Sequence, residues 1–253
     1  MHLHGVFYAK ASEGAPYHDG IPLSENPGDS VAPGGSFTYV RRVPPSAGPR
    51  PADPSSIVWL YHSHVHELQD VNTGLIGAII VTRNGMALPD GRPKGVDHNF
   101  VVLFMIFNEN DSWFLNHNIN AFTTDPLHVN RLESSTADPK GNFGLMGTGF
   151  VNQNLRYTIN SYQYADGPMI RMKNGEHVRW YLITVGDGLN THTPHWHGST
   201  VLVRGHRTDV VSLAPAQMVT ADMWPNNSGL WLLHCHFSDH MAGGMSALYQ
   251  VLQ

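Results

Sequence analysis

Cys235 stands between two histidines in His234-Cys235-His236, with His240 and Met245 shortly downstream. A thiolate, two imidazoles and a weak axial thioether form the ligand set of a blue-copper electron-transfer site, and Cys235, His192, His240 and Met245 supply one. Three further motifs bring imidazoles close together: His2-Leu3-His4-Gly5, His62-Ser63-His64, and His192-Thr193-Pro194-His195-Trp196-His197. With His192 and His240 set aside, eight motif histidines remain. Eight imidazoles suit three copper ions, two donors for one and three for each of the others. A lone His-X-His is an ordinary strand feature, a lone buried cysteine behaves as a small apolar residue, and a lone methionine fills core gaps. The joint occurrence of four motifs, with Cys235, His240 and Met245 at short spacing, is what makes this a metal pattern. His18, His66, His98, His117, His128, His177 and His206 belong to no motif and receive no role.

Such pairs need strands to aim them. Alternate side chains of a strand share one face, so His-X-His directs two imidazoles the same way while the middle residue points oppositely. Cys235 then faces one metal while His234 and His236 face others. Runs rich in β-branched and aromatic residues, bounded by turn residues, predict strands at 36–43, 56–62, 75–81, 100–107, 177–183, 200–204, 217–223, 229–234 and 246–251. FVVLFMIF (100–107) reads equally as a buried strand or a buried helix.

The motifs also repeat. MHLHG (1–5) aligns with PHWHG (194–198), and WLYHSH (59–64) with WLLHCH (231–236). Two related β-domains follow, divided in the polar, Gly- and Pro-rich stretch from Asn84 to Lys94, giving residues 1–92 and 93–253. The second copy has about 100 residues before its PHWHG and the first a single residue before HLHG, so the first domain is expected to lack its opening strands. Ser63 replaces Cys235 and Leu75 replaces Met245 in the first copy, which therefore contributes cluster ligands and no blue copper.

Composition agrees with an all-β globular chain. Of the 253 residues 14% are charged and 41% hydrophobic, with 25 glycines and 17 prolines as punctuation. A formal charge of -5 with no basic run argues against nucleic acid or an acidic membrane as partner. No apolar stretch approaches the roughly 18 residues of a membrane span, and residues 1–30 show no basic-then-apolar leader pattern. One cysteine cannot form an internal disulfide.

In order and spacing, the four motifs resemble the signature of multicopper oxidases, and WLLHCHFSDHMAGGM (231–245) is similar to the copper-binding strand of the ceruloplasmins and laccases. The resemblance covers nearly the whole chain and implies two cupredoxin-like Greek-key β-sandwich domains. It implies one type 1 copper at His192, Cys235, His240 and Met245. A type 2 copper at His2 and His195 follows, with a type 3 pair at His4, His62, His64, His197, His234 and His236. Dioxygen would be reduced to water by four electrons drawn singly from a small reductant. Glu13 and Asp239 are the acids nearest the motifs and the candidate proton carriers.

Similarity to the ceruloplasmins extends through GVFYAKASEGAPYHDG (5–20) and NENDSWFLNHNI (108–119), and Asp239 matches an iron-binding aspartate of that family. The glutamate and histidine that would complete an iron site align near Gly144 and Gly149. The expectation is therefore a laccase-like oxidase of phenols and aromatic amines. The alternatives are a ferroxidase or other metal oxidase, or a non-enzymic copper-binding remnant. A two-domain copper nitrite reductase needs a blue copper in its first domain and three histidines for its second copper, which Ser63 and the eight cluster histidines contradict. Resemblance to the small laccases implies a homotrimer with clusters shared between subunits, and a periplasmic or secreted location.

Overall fold

The computed structural model describes residues 1–126, 150–186 and 190–253. The first part of the chain forms β1 (His2–Leu3), β2 (Phe7–Tyr8), β3 (Arg41–Arg42), β4 (Ser56–His62), the short helix α1 (Glu67–Asn72) and β5 (Ile76–Thr82). β1, β4 and β5 make a three-stranded antiparallel sheet, and β2 pairs with β3. The second part begins with β6 (His98–Asn108) and the helix α2 (Leu115–Phe122). It continues through β7 (Leu155–Ile159), β8 (Ile170–Lys173), β9 (Val178–Ile183), β10 (Pro194–Trp196), β11 (Val201–Val203) and β12 (His206–Thr208). β13 (Met218–Met223), β14 (Gly229–Cys235) and β15 (Ser246–Leu252) complete it. Two sheets result, ordered β10-β14-β15-β8 and β12-β11-β13-β9-β6-β7. No helix is long and apolar enough to cross a membrane among the described residues.

Period-two patterning dictates β4, where Ser56, Val58, Leu60 and His62 are buried and the residues between them less so. β9 is buried at every position, because it lies inside the six-stranded sheet with parallel β6 on one side and antiparallel β13 on the other. The ambiguous FVVLFMIF is strand, within β6. The main core lies between the two larger sheets, around Phe104, Trp180, Trp196, Leu213 and Tyr249.

The three-stranded sheet packs on the six-stranded one. Val58 meets Tyr181 and Ile183, with Ala78, Ile80, Leu103 and Met218 closing around them. Beside this contact lies a buried polar group: the Arg179 guanidinium donates to both Asp222 carboxylate oxygens, at 2.7 and 3.1 Å, and to the hydroxyls of Ser55 and Ser56, at 2.8 and 2.7 Å. Ser56 in turn pairs with the Tyr181 hydroxyl at 2.6 Å.

One expected strand is mostly missing. Of 36–43 only Arg41–Arg42 join a ladder. The run is instead tied to the start of the chain, with the Tyr39 hydroxyl donating to the Gly28 carbonyl and Arg41 to the Met1 carbonyl, while the Ser12 hydroxyl accepts from the Val40 N–H. The short strands β2, β7, β8 and β12 carry no long apolar run and were not expected.

Candidate copper centres

The repeated motifs form two histidine quartets of like construction. In the first, β1 pairs with β4 so that His2 faces His62, and the His4 N–H donates to the Leu60 carbonyl just beyond the paired residues. Ring centroids of His2, His4, His62 and His64 lie 5.3–5.7 Å apart along the recorded contacts. In the second, β10 pairs with β14 so that His195 faces His234, and the His197 N–H donates to the Leu232 carbonyl. There His195, His197, His234 and His236 stand 5.0–5.5 Å apart.

The same backbone devices orient both quartets. His2 Nδ1 lies 3.2 Å from the Glu13 carbonyl and His195 Nδ1 3.0 Å from that of Asp209. His62 Nδ1 lies 2.9 Å from the Ser63 carbonyl and His234 Nδ1 2.8 Å from that of Cys235. A carbonyl only accepts, so the proton sits on Nδ1 and Nε2 keeps its lone pair for a metal. His4 Nε2 lies 3.2 Å from His62 Nε2, and His197 Nε2 3.0 Å from His234 Nε2. In each quartet one HXH is followed by a glycine with positive φ, +72° at Gly5 and +70° at Gly198. A Cβ there would meet the ring of Trp59 at 2.0 Å or Trp231 at 3.0 Å, so each motif needs a bare backbone against its tryptophan.

The Cys235 set is deeply placed. Cys235, His192 and Met245 are each 0% exposed. His192 Nδ1 and His240 Nδ1 are 3.2 Å apart, and Cys235 Sγ lies 4.0 and 3.5 Å from them. First-row metal bonds of about 2.0–2.3 Å place two ligand atoms of one ion roughly 3–4 Å apart, so the donor set fits a single metal. Met245 is brought in by its backbone, its carbonyl accepting from the Cys235 N–H at 3.1 Å. The Thr193 N–H donates to the sulfur at 3.3 Å, and His192 Nε2–H donates to Asn190 Oδ1 at 3.3 Å. His240 is half-buried, its ring against Tyr157 and Phe237 at 5.4 and 5.2 Å.

Burial shapes the electrostatics. Desolvation, with His240 adding repulsion, lowers His192 to about 3. Desolvation first and then His62, His2 and His64 lower His4 to about 4. Burial raises the Cys235 thiol. Neutral imidazoles are the metal-binding form, so these pockets hold the histidines ready to ligate.

The candidate acids differ in setting. The Glu13 carboxylate is held by Lys10 at 2.5 Å and by the Tyr17 hydroxyl at 3.1 Å, while its carbonyl faces His2. Asp239 lies in the short helix Ser238–Ala242 beside His240. Gly144 and Gly149, the positions aligned with the remaining iron ligands, lie outside the described residues. In the first copy, the Ser63 hydroxyl donates to Asp70 at 2.6 Å and Asp70 also accepts from the Trp113 indole at 2.8 Å, so a hydrogen-bond network stands where the second copy has its sulfur. Sequence reasoning missed Thr193 and Asn190, although both lie within three residues of a motif histidine.

Residues 136–253 match the family model described as multicopper oxidase. Hephaestin of Rattus norvegicus is 40% identical over 99% of this chain and 21% of its own length. Ferroxidase HEPHL1 of Homo sapiens is 38% identical over 99% of the chain and 20% of its own length. Ceruloplasmin of Mus musculus is 33% identical, again over 99% of the chain and 22% of itself. The chain thus spans about a fifth of the curated relatives it matches. Among solved structures, the blue copper oxidase from Nitrosomonas europaea superposes with a TM-score of 0.63 at 23% identity, covering 99% of this chain and 68% of that one. The expected cupredoxin-like β-sandwich architecture is therefore the observed one. With the copper-ligand motifs, the family match and the length-wide similarity agreeing, residues 136–253 belong to the multicopper oxidase family and the chain as a whole has a ceruloplasmin-like sequence.

Proposed function

We propose that the chain is a laccase-like multicopper oxidase, coupling one-electron oxidation of phenols or aromatic amines to the four-electron reduction of dioxygen to water. The observation that carries this reading is the adjacency of the two kinds of site: Cys235 groups with His192 and His240, while His234 and His236 on either side belong to a histidine quartet. Copper bound at these positions supplies one-electron redox chemistry at the Cys235 set and dioxygen reduction at the histidines, as one type 1, one type 2 and two type 3 ions.

Cys235 connects the two sets through single peptide links, so no packing gap separates them. Thr193 steadies the sulfur and Asn190 fixes the tautomer of His192. The half-buried His240, rimmed by Tyr157 and Phe237, offers an aromatic approach to the buried set. Glu13 and Asp239 are the acids assigned to proton delivery. Residues 1–92 and 93–253 act as two domains, each contributing one quartet. No hydrogen bond or ring contact joins the quartets among the described residues. His197 and His236 are exposed. Both facts support completion by a neighbouring subunit, head to tail, closing as a homotrimer. A location outside the cytoplasm accords with this reading.

A ferroxidase is the second reading, favoured by Asp239 beside His240 and by the similarity to the ferroxidase of Homo sapiens. Oxygen uptake by the copper-loaded protein, with a phenol and with ferrous iron in turn, tests both. The expected outcome is a clearly higher kcat/KM for the phenol; faster turnover of iron at matched saturation would replace the first reading by the second.

A further inference from the structure

The HXH motifs at the ends of β4 and β14 share one backbone plan and differ in what holds the middle residue. The Ser63 N–H donates to the Leu75 carbonyl at 3.0 Å, as the Cys235 N–H does to that of Met245 at 3.1 Å. Each middle residue then orients the histidine before it: the Ser63 carbonyl lies 2.9 Å from His62 Nδ1, and that of Cys235 2.8 Å from His234 Nδ1. At Cys235 the sulfur gathers with His192 and His240. Ser63 carries an oxygen instead, and Leu75, in the place of Met245, is exposed.

A carboxylate holds the middle residue of the first copy. Asp70, on α1, accepts from the Ser63 hydroxyl at 2.6 Å through Oδ2 and from the Trp113 indole at 2.8 Å through Oδ1. The His66 N–H adds a bond to Oδ2 at 3.2 Å. An O–H···O⁻ bond of about 2.5–2.7 Å is charge-assisted and roughly twice as strong as a neutral one, so the carboxylate grips Ser63 more firmly than an amide would. Trp113 comes from the second part of the chain, between β6 and α2. Its backbone N–H donates to Thr73 Oγ1 at 3.1 Å, and its ring meets that of His66 edge-on at 5.6 Å. A line of contacts, Trp113 to Asp70 to Ser63 to His62, thus runs from the second part of the chain into the first quartet. The Glu67 carboxylate, 3.5 Å from His62 Nδ1 and half-exposed, is too distant to fix that ring by a hydrogen bond.

We propose that Asp70 is a positioning residue for the first quartet, tying the orientation of His62 to the second part of the chain through Ser63 and Trp113. That the quartet holds copper rests on the oxidase reading above; the orientation of the imidazole does not. Nitrogen-15 spectra of the histidines in the whole, copper-free chain read the orientation directly. His62 is expected as a single Nδ1–H tautomer in the wild type and as a mixture of tautomers in Asp70→Asn and Ser63→Ala, with the remote His177 signals unchanged. In the copper-loaded chain, a chelator series with metal analysis reads the quartet, and the blue absorption of the Cys235 set is the internal control. Loss of an outer-shell partner weakens a metal site by about tenfold or more, so both variants should release cluster copper at about tenfold lower chelator concentration with the blue band unmoved. Trp113→Phe keeps an exposed ring and removes the indole N–H; it is expected to shift release about threefold, and it carries the test should Asp70→Asn not fold. A single His62 tautomer in folded Asp70→Asn, or wild-type tautomer and copper retention in Trp113→Phe if only that variant folds, overturns the proposal. A wild-type chain that takes up no copper beyond the blue site counts against the oxidase reading, and the tautomer measurement still decides the role of Asp70.

Discussion

Burial and hydrogen bonds from Thr193 and the Phe237 backbone set the character of Cys235. The sulfur has no access to solvent and receives the Thr193 N–H, and hydrogen bonding and apolar surroundings at such a sulfur are what tune a blue-copper potential. Serine offers no soft thiolate. Cys235→Ser is therefore expected to abolish the intense blue absorption and the oxidation of reductants, while the histidine quartets still take up copper. Optical spectra with metal analysis check this, and a retained blue band would refute the assignment of the Cys235 set. At this scale the grouping of the donor side chains was legible, because soft and imidazole donors declare their chemistry by type and spacing. Thr193 and Asn190 were not: one acts through its backbone N–H and the other through an amide acceptor, functions any sequence neighbour offers until the fold points it at Cys235 or His192.

The strands β9 and β13 place Arg179 directly opposite Asp222, and the pair is buried beneath β4. Burial alone would raise the Asp222 carboxyl, but hydrogen bonds from His177 and Arg179 outweigh it and hold the carboxyl below its ordinary value. A depressed carboxyl stabilises the fold above the ordinary value near 3.8, and the contribution is lost as pH falls through the depressed one. Asp222→Asn leaves the guanidinium without its counter-charge and is expected to cost about 3–5 kcal/mol near neutrality. Its melting temperature should also fall less steeply than that of the wild type on acidification below about pH 4; parallel curves would contradict the account. Strands such as β4, β9 and β14 could be read from the sequence because their apolar patterns match one- or two-sided burial. The run at 36–43 has the same β-prone composition but bonds through the Tyr39 and Arg41 side chains to Gly28 and Met1 and through the Val40 N–H to the Ser12 hydroxyl, so propensity with little ladder pairing misled.

For the molecule as a whole, the decisive arrangement is that four histidines of each quartet gather around one another while no hydrogen bond or ring contact joins the two quartets among the described residues. If clusters form between copies, a His62→Ala/His64→Ala chain mixed with a His234→Ala/His236→Ala chain should regain part of the oxygen reduction that neither shows alone. No recovery after verified subunit exchange, or full activity from a monomer, would end the shared-cluster proposal. His192, Cys235 and His240, by contrast, gather within one chain. Mass action then treats the two kinds of copper differently. On dilution, ligands supplied by one chain stay together, whereas ligands supplied by two separate with the assembly. Stepwise dilution toward subunit dissociation should therefore release cluster copper and extinguish oxygen consumption while the blue colour persists, leaving a protein that still accepts one electron per chain but can no longer spend four on oxygen.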